Sequence, residues 1–465
     1  MASRQDQLHS YQFTVQRVVA AVVMRETDPA QSPFRRAAGA TLAGVLVAAL
    51  GLAAVAVLGV LAPRDAAGWR DPGAVVVERE SGARYVYLDG RLHPVLNYAS
   101  ALLILRSAQA HTVSVPRAAL AGVPRGAPLG IAAAPDSLPE PGRLVGFPWT
   151  LCSARSTAGG PDETALYVGA TVPGGQPVGT DAGLLAQTPD RALQLIWHER
   201  RFAVRDQAVV RAAFGWSGQA PAPVAAAFAN AVAQGPDLVP PAIPGTVGAL
   251  SRAVPRRRVG SVVVVATQAG ARQFAVVLAD GLAPISQVQA DLLLSDPVQV
   301  AKLGQGRADP MSQGDFSRVP AASLPAAAAG LPDATPRLVH PSLVDGGVCA
   351  RFDSTRGAAR ITVDVPLPAA AEAVPTAGGG AADRILVPPG QGAVVEAVAA
   401  PDAPGGSVNV LTDLGLRYPV PTVDILAILG YATVQPVRVP AGLVALVPAG
   451  RVLDPAAARA PVRMN

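Results

Sequence analysis

The chain has 465 residues and a formal net charge of +5; half of its residues are hydrophobic, but only 4% are aromatic. Its 45 prolines and 46 glycines predict frequent turns and few long helices. The basic residues are scattered arginines, and the densest run, Arg256–Arg258, contains no aromatic residue. A nucleic-acid surface combines a clustered basic face with stacking rings. The composition therefore argues against nucleic acid as a partner, and a solvated loop accounts for the run.

Residues 1–36 carry a stripe of apolar side chains. Its members recur at three- and four-residue steps: Leu8, Tyr11, Val15, Val18 and Val22. This spacing predicts an amphipathic helix. The polar face has few basic residues, which favours a protein partner over the membrane surface as the contact of the stripe. We therefore expect residues 1–36 to form a cytoplasmic amphipathic tail that faces a partner.

Residues 37–62 form an uncharged apolar segment. A helix of this length crosses a hydrocarbon core of about 30 Å and pairs its backbone polar groups internally. The segment is longer than the apolar part of a signal peptide and starts further along the chain, so we interpret it as a transmembrane helix. Its small residues Gly39, Ala43, Gly44 and Gly51 either allow close contact with another helix or reflect composition alone.

The charges beside this segment predict its orientation. Five arginines precede it, and the two that follow it lie next to aspartates: Arg4, Arg17, Arg25, Arg35 and Arg36 before, Arg64 and Arg70 beside Asp65 and Asp71 after. Basic flanks stay in the cytoplasm. We therefore expect a single-pass protein of the plasma (inner) membrane, with a cytoplasmic N-terminus and an exported C-terminal domain.

Two cysteines, Cys152 and Cys349, lie in the part that is predicted to be exported. An oxidising compartment favours a disulfide between them, and two separate buried thiols are the alternative. A bond would bring together residues 143–178 and 337–367, which contain one cysteine each. These two segments are then expected to form one central domain.

Two distant segments of the exported part share one pattern. Each has an apolar strand, a tight turn with an aspartate and a second strand. The first turn contains Asp89 and Gly90, and the second contains Asp413. Each aspartate precedes the valine of a Val-Pro pair by 26 residues (115 − 89 and 439 − 413). The identical spacing predicts repeats at 74–130 and 383–455, each with a short helix before the returning segment.

Weaker copies lie between these two. Residues 195–204 have the same strand–turn–strand pattern, and residues 274–285 reproduce the turn with Asp280 and Gly281. In the latter copy Val319–Pro320 comes 39 residues after the aspartate (319 − 280), which predicts an insertion around 297–316. The predicted repeats span 190–240 and 260–335. None of the four could bury an apolar face alone, so we expect them to pack on each other or on the central domain.

No catalytic motif is evident in the sequence. The lone lysine, Lys302, lacks the glycines and hydroxyl of a phosphate-binding loop, the five histidines are scattered singly, and no G-x-S-x-G motif occurs. Glu78 and Glu80 have strand spacing that would place two carboxylates on one face, but a solvated pair is the simpler interpretation. We therefore predict no catalytic residues, no metal site and no cofactor.

The segments RQDQLHSYQFTVQRVVAAVVMRETDP and SGARYVYLDGRLHPVLNYASALLIL, before and after the span, closely resemble the EccB family. EccB is the membrane component of type VII (ESX) secretion systems of mycobacteria and other actinobacteria. The resemblance covers essentially the whole chain, including both cysteines. It implies an α+β fold: an N-terminal amphipathic helix, one transmembrane helix, and an exported domain of four small α/β repeats around a central, mainly-β, disulfide-linked domain.

The resemblance also implies a function and partners. EccB-like proteins assemble with EccC, EccD and EccE, and the mycosin protease associates with the complex. We therefore expect a structural core subunit in an oligomeric export complex. One alternative is an ATPase, as some family members are labelled, in which case ATP would be the ligand. Another is a cell-wall (peptidoglycan) binding module, suggested by the likeness of the repeats to a phage-lysin subunit.

Overall fold

The computed structural model describes residues 3–25, 33–61, 68–156, 162–267, 270–325, 330–342, 346–356, 359–367, 374–375 and 381–462. The chain divides into two compact units, Met1–Arg70 and Asp71–Asn465. The first contains helices α1 (Arg4–Met24) and α2 (Pro33–Leu61). The described residues of the second combine five β-sheets with short helices, so the chain is α+β as predicted.

The first repeat is a four-stranded sheet with one helix inserted before its last strand. Its elements are β1 (Ala74–Glu78), β2 (Arg84–Leu88), β3 (Arg91–Pro94), α3 (Tyr98–Leu105) and β4 (His111–Val115). The strands have the order β3-β2-β1-β4. The first three form an antiparallel meander, and β4 returns parallel to β1 after the helical crossover that a parallel connection requires. Asn97 caps α3 by accepting a hydrogen bond from the backbone N–H of Ser100.

The third repeat uses the same strand order, and the second keeps this order with two further strands added to its sheet. The second contains β8 (Ala182–Gln187), β9 (Leu193–Trp197), β10 (Arg200–Val204), α4 (Gln207–Ala213), β11 (Ala222–Pro223), α5 (Ala226–Ala231) and β12 (Ala233–Gln234), after the central strands β5 (Trp149–Ala154), β6 (Glu163–Val168) and β7 (Gln176–Pro177). The third contains β13 (Val262–Ala266), β14 (Arg272–Val277), β15 (Leu282–Ile285), α6 (Gln287–Ser295), α7 (Pro297–Leu303), β16 (Asp309–Pro310) and α8 (Gln313–Arg318). In each, the returning strand, β11 or β16, pairs parallel to the first strand.

The remaining elements complete the central sheet and the fourth repeat. They are β17 (Arg337–Val339), β18 (Gly347–Phe352), β19 (Arg360–Val365), β20 (Val374–Pro375), β21 (Arg384–Leu386), β22 (Gly392–Val398), β23 (Ser407–Thr412), β24 (Arg417–Val420), α9 (Asp424–Ile428), β25 (Val437–Pro440), α10 (Ala441–Ala445) and α11 (Pro455–Ala458). The fourth repeat has the order β24-β23-β22-β25, again with a parallel returning strand.

The strand pairing differs from the sequence prediction in the third repeat. Its returning strand is β16, which begins 29 residues after Asp280 (309 − 280), and not Val319–Pro320. The insertion predicted around 297–316 is smaller than the Val-Pro spacing implied: helix α7 (Pro297–Leu303), which has no counterpart in the first and fourth repeats, lies there before β16. A two-residue parallel pairing uses backbone groups alone, so an Asp-Pro pair takes the place of the Val-Pro pair of the first and fourth repeats.

The central sheet has seven strands in the order β20-β21-β6-β5-β18-β19-β7. Its core strands come from the two segments that the cysteines were expected to join. Four strands depart from the predicted boundaries: β17 pairs with β8 of the second repeat, β21 joins the central sheet through β6, β20 pairs with β21, and β8 starts the second repeat before residue 190. Strands of two or three residues are too short to show a hydrophobic pattern, so the sequence does not indicate which sheet they join.

The repeats pack in two pairs, around one shared core. Helices α3, α9 and α11 bring the first and fourth repeats together, and their buried residues form a single apolar cluster. Helix α4 packs on α6, so Val288 and Leu292 of the third repeat are buried among residues of the second. Residues of α5 and α10 lie in the core beneath the central sheet, with Trp149 and Leu151 of β5. This arrangement buries the apolar face of each repeat, which no repeat could bury alone.

Candidate assembly surfaces

Helix α1 presents the predicted apolar stripe to solvent. Ser3 and Asp6 form a reciprocal capping box at its start: the Ser3 hydroxyl accepts from the backbone N–H of Asp6, and the Asp6 carboxylate accepts from the backbone N–H of Ser3. The stripe residues are between 42% and 76% exposed: Leu8, Tyr11, Val15, Val18 and Val22. Phe13, which the stripe spacing does not include, is also exposed, and the Arg17 guanidinium lies 5.7 Å from its ring centroid.

Helix α2 matches the predicted membrane segment. Within the part of the chain that the structure describes, it alone is long and apolar enough to cross a bilayer; its most apolar window, Ala38–Val55, has a mean hydropathy of 2.1 and no buried residue. A Cβ placed on Gly39, Gly44 or Gly51 would meet no atom within 4 Å. These positions are therefore open to a second helix, and contact there stays a prediction.

A disulfide joins Cys152 and Cys349 across the central sheet. The two residues lie directly opposite each other on the antiparallel strands β5 and β18, with Cα atoms 4.0 Å apart and an S–S distance of 2.05 Å. Both are buried beside Tyr167 and Val365. The bond links positions 197 residues apart. It links the two sequence segments that form the core of the central sheet.

The three predicted aspartate turns have different geometries. Asp89 and Gly90 form a two-residue hairpin loop in which both φ angles are positive, at 48° and 76°. This is the geometry that Asp-Gly favours. Asp280 and Gly281 close a longer loop, in which the Leu278 N–H donates to the Gly281 carbonyl.

Asp413 begins the remaining turn. In this turn Gly415 has the positive φ, and the Thr412 N–H donates to the Leu416 carbonyl. The Asp413 carboxylate accepts a hydrogen bond from the backbone N–H of Gly390, 2.8 Å away. The Asp413 side chain therefore links this hairpin to the segment that leads into β22, the first strand of the fourth repeat.

The carboxylates of Glu78 and Glu80 both bind Arg117. Glu78 is buried, accepts from Arg117 Nε at 2.5 Å and from the Tyr85 hydroxyl at 3.2 Å. Glu80 accepts from the backbone N–H of Arg117 at 2.8 Å. The hydrogen bond from Arg117, with its positive charge, lowers the pKa of Glu78 below its ordinary value. A general acid needs the opposite shift, so this pair fits a structural clamp that holds Arg117 at the end of β4.

Two arginines of the triple run also have structural partners. Of the triple arginine, Arg257 pairs with Asp309 at 2.5 Å and Arg258 donates to the carbonyl of Gly248. Lys302 lies in the last turn of α7, before Gly304. Among the described residues no cluster of three or more His, Cys, Asp or Glu side chains is placed to hold a metal ion.

The comparisons with known proteins agree with this architecture. Residues 1–462 match the family described as the type VII secretion system ESX-1, transport TM domain B. The ESX-3 secretion system ATPase EccB3 of Mycolicibacterium smegmatis is 31% identical over 96% of this chain and 88% of its own length. The protein of the same name from Mycobacterium tuberculosis is 30% identical over 89% of this chain and 79% of its own.

Solved structures show the same fold. The EccB3 dimer from the ESX-3 core complex is 30% identical, with a TM-score of 0.67 over 83% of this chain and 100% of that one. A chain of an intact ESX-5 inner membrane complex has a TM-score of 0.68 over 100% of this chain and 96% of that one, at 23% identity. The family match over nearly the whole length decides the assignment: this chain belongs to the EccB family of type VII secretion proteins.

Proposed function

We propose that this protein is a structural core subunit of a type VII secretion complex in the plasma membrane. The observation that carries the proposal is the family match from the cytoplasmic tail to the end of the exported domain, together with a chain of similar fold in an intact ESX-5 inner membrane complex. In this role α2 anchors the protein, and the disulfide-linked domain supplies a rigid body on the far side of the membrane.

The proposed orientation places α1 in the cytoplasm. The arginines that precede the span support it, because basic flanks are retained on that side. The Cys152–Cys349 bond supports it independently, since disulfides persist in oxidising compartments and are rare in the cytosol. With this topology the exposed stripe of α1 faces cytoplasmic partners, while the repeats face the space outside the membrane.

The proposed partners are EccC, EccD and EccE, with the mycosin protease associated. The test is affinity purification of the full-length chain from its own membranes in mild detergent, followed by identification of the co-purified proteins. Three stripe substitutions, Tyr11→Ser, Val15→Ser and Val18→Ser, should reduce recovery of EccC and EccD, as should deletion of residues 1–36. The matched control is Gln5→Ser with Gln16→Ser on the polar face. Full recovery with the stripe variant would reject the role of the tail, and recovery of none of these components with the wild type would reject the function.

The names of the relatives favour ATP hydrolysis as a second candidate function, since they contain the word ATPase. Phosphate-binding loops combine several glycines with a lysine and a hydroxyl at a helix start. The lone lysine of this chain lies at the opposite end of a helix. We therefore expect the energy for export to come from another component of the complex.

A further inference from the structure

A short hairpin of residues 248–259, called the basic hairpin below, precedes the third repeat and contains the triple arginine. Its two sides are joined by an antiparallel bridge between Leu250 and Arg258. Val254 is buried in an apolar cluster with residues of β13, β14 and β15. The basic hairpin is therefore packed onto the third repeat, and its backbone gives its side chains defined positions.

The basic hairpin carries positive charge that its surroundings do not balance. It contains four arginines, and no acidic residue occurs in the sequence between Asp237 and Asp280. Arg257 pairs with the carboxylate of Asp309 at the start of β16. The other three arginines are exposed, and none forms an ion pair with a residue that the structure describes: Arg252, Arg256 and Arg258.

Arg256 has a backbone conformation that suits glycine. Its φ angle is 64°, in the left-handed region that costs energy for a residue with a Cβ. In the hairpin turns of the first and fourth repeats, Gly90 and Gly415 have comparable φ angles, 76° and 69°. The basic hairpin therefore has an exposed cation at a position where glycine would be more stable, and we expect its side chain to contact another molecule.

An exposed aliphatic side chain lies beside these cations. Leu250 is 69% exposed and lies opposite Arg258 across the hairpin. One N–H group of Arg258 donates to the carbonyl of Gly248 at 2.9 Å, which fixes the guanidinium in place. Its further N–H groups have no partner among the described residues and can donate to a ligand. The surface thus combines fixed cationic donors with one apolar contact.

We propose that the basic hairpin binds an acidic segment of another protein that also carries an aliphatic side chain. A guanidinium binds a carboxylate through two parallel N–H···O bonds, a geometry that the ammonium of lysine does not offer. All four cations of the hairpin are arginines, and arginine is enriched at protein interfaces whereas lysine is depleted there. This surface is separate from the stripe of α1.

A membrane surface fits the basic hairpin less well. Sites that lie in the membrane interface combine cations with aromatic rings, and residues 238–273 contain no Phe, Trp or Tyr. Attraction to anionic lipids depends on the number of charges near the surface and does not require a guanidinium fork. The arginine-only composition therefore favours carboxylates of a protein as the ligand.

Fluorescence polarisation tests the proposal with the full-length chain in nanodiscs of neutral phosphatidylcholine. The probe is a labelled peptide, Glu-Glu-Leu-Glu-Glu-Leu-Glu-Glu. We expect saturable binding that weakens as the salt concentration rises. The triple variant Arg252→Gln, Arg256→Gln and Arg258→Gln should weaken binding about tenfold, as expected for the loss of three exposed charge pairs. No binding by the wild type would overturn the proposal.

A matched triple variant separates a specific surface from net charge. It removes the same number of charges at exposed positions elsewhere: Arg106→Gln, Arg143→Gln and Arg451→Gln. The peptide should bind this variant with unchanged affinity. Equal weakening by the two triple variants would show that the peptide responds to the charge of the whole protein, and the proposal would then fail.

Two leucine variants test the apolar contact. Leu250→Ser should weaken peptide binding about threefold, because the leucine side chains of the peptide lose their contact. Leu414→Ser, at a leucine that is 60% exposed in the fourth repeat, is the control and should leave the affinity unchanged. Equal affinities of Leu250→Ser and the wild type would contradict the predicted aliphatic side chain in the ligand.

Vesicles of phosphatidylglycerol test the competing ligand in a flotation assay. The lysine variant Arg252→Lys, Arg256→Lys and Arg258→Lys keeps the charge but loses the forks, so its affinity for the peptide should fall. Vesicle binding by the wild type that persists in the lysine variant and is lost in the glutamine variant, without peptide binding, would assign the hairpin to a lipid surface and overturn the proposal.

Arg256→Gly separates binding from folding. Glycine suits the φ angle at this position, so the Tm should shift upward. The affinity for the peptide should fall two- to threefold, because one charge pair is lost. Unchanged affinity in this stabilised variant would contradict the assignment of Arg256 to the binding surface.

Discussion

The Arg459 guanidinium donates two hydrogen bonds to the carbonyl oxygen of Ile104, at 3.1 and 2.8 Å, across 355 positions of the chain. Ile104 lies in the last turn of α3, where carbonyls have no partner within the helix. Arg459 follows α11, so its side chain attaches the end of the chain to the first repeat. Val462 adds a backbone hydrogen bond to Pro128. The first and fourth repeats are thereby joined at their outer ends.

Arg459→Ala should lower the free energy of unfolding of the unit Asp71–Asn465 by about 1–2 kcal/mol, since hydrogen bonds from a charged donor are lost and a helix end is left uncapped. Urea denaturation followed by near-UV circular dichroism measures the change. Arg451→Ala, at an exposed position just before α11, is the control and should shift the value by less than about 0.5 kcal/mol. Equal effects of the two substitutions would show that the contact with Ile104 contributes nothing specific.

Replacing both cysteines, with Cys152→Ala and Cys349→Ala, should destabilise the unit Asp71–Asn465 by about 2–5 kcal/mol, because the unfolded chain loses a long closed loop. The strands β5 and β18 still pair, so the native sheet order should persist. Alkylation under denaturing conditions without reductant provides the check: the wild type should expose no thiol and Cys152→Ala one. Two reactive thiols in the wild type would refute the bond.

Glu78→Gln should lower the Tm at neutral pH because Arg117 and Tyr85 lose a charged acceptor. The pKa of Glu78 is lowered in the folded state by the hydrogen bond from Arg117, so the stabilisation is present above the pKa of the unfolded chain, about 4.3, and is lost as the pH falls through the folded value. The Tm difference between variant and wild type should therefore shrink below that pH. Glu140→Gln, at an exposed site, should show no such pH dependence. A constant difference down to strongly acidic pH would exclude the ion pair as its cause.

The purified full-length chain should show no magnesium-dependent ATP hydrolysis above that of a preparation carrying Lys302→Ala. The expectation follows from the position of this lysine near the C-terminal end of α7. Phosphate release measured after stringent purification checks it. Sustained hydrolysis that co-purifies with the chain and falls with Lys302→Ala would instead show that the chain has an ATP-hydrolysing site that includes Lys302.

Sequence patterns were most informative where local chemistry sets the structure. Asp89 and Gly90 predict their hairpin because their own backbone preferences favour positive φ, and the apolar runs before the turns at Asp89 and Asp413 were correctly predicted as strands, β2 and β23. The 26-residue spacing located the returning strand in the first and fourth repeats, yet it misplaced that of the third. The pairing of the short strands β16 and β17 depends on which strand edge lies open in the folded domain.

Contacts between residues far apart in the chain were harder to predict from the sequence. Nothing near Arg459 indicates Ile104 as its partner, and Glu78 and Glu80 were considered as a pair without Arg117, which lies 37 residues after Glu80.

Export by cells that encode this chain tests the account most directly. We predict that deleting the gene abolishes secretion of the substrates of the matching type VII system, measured in culture filtrates. The wild-type gene and a Lys302→Ala gene should both restore it, whereas a gene carrying Tyr11→Ser, Val15→Ser and Val18→Ser should not. Undiminished secretion in the deletion strain would contradict the assignment of this protein as a core subunit of the export complex.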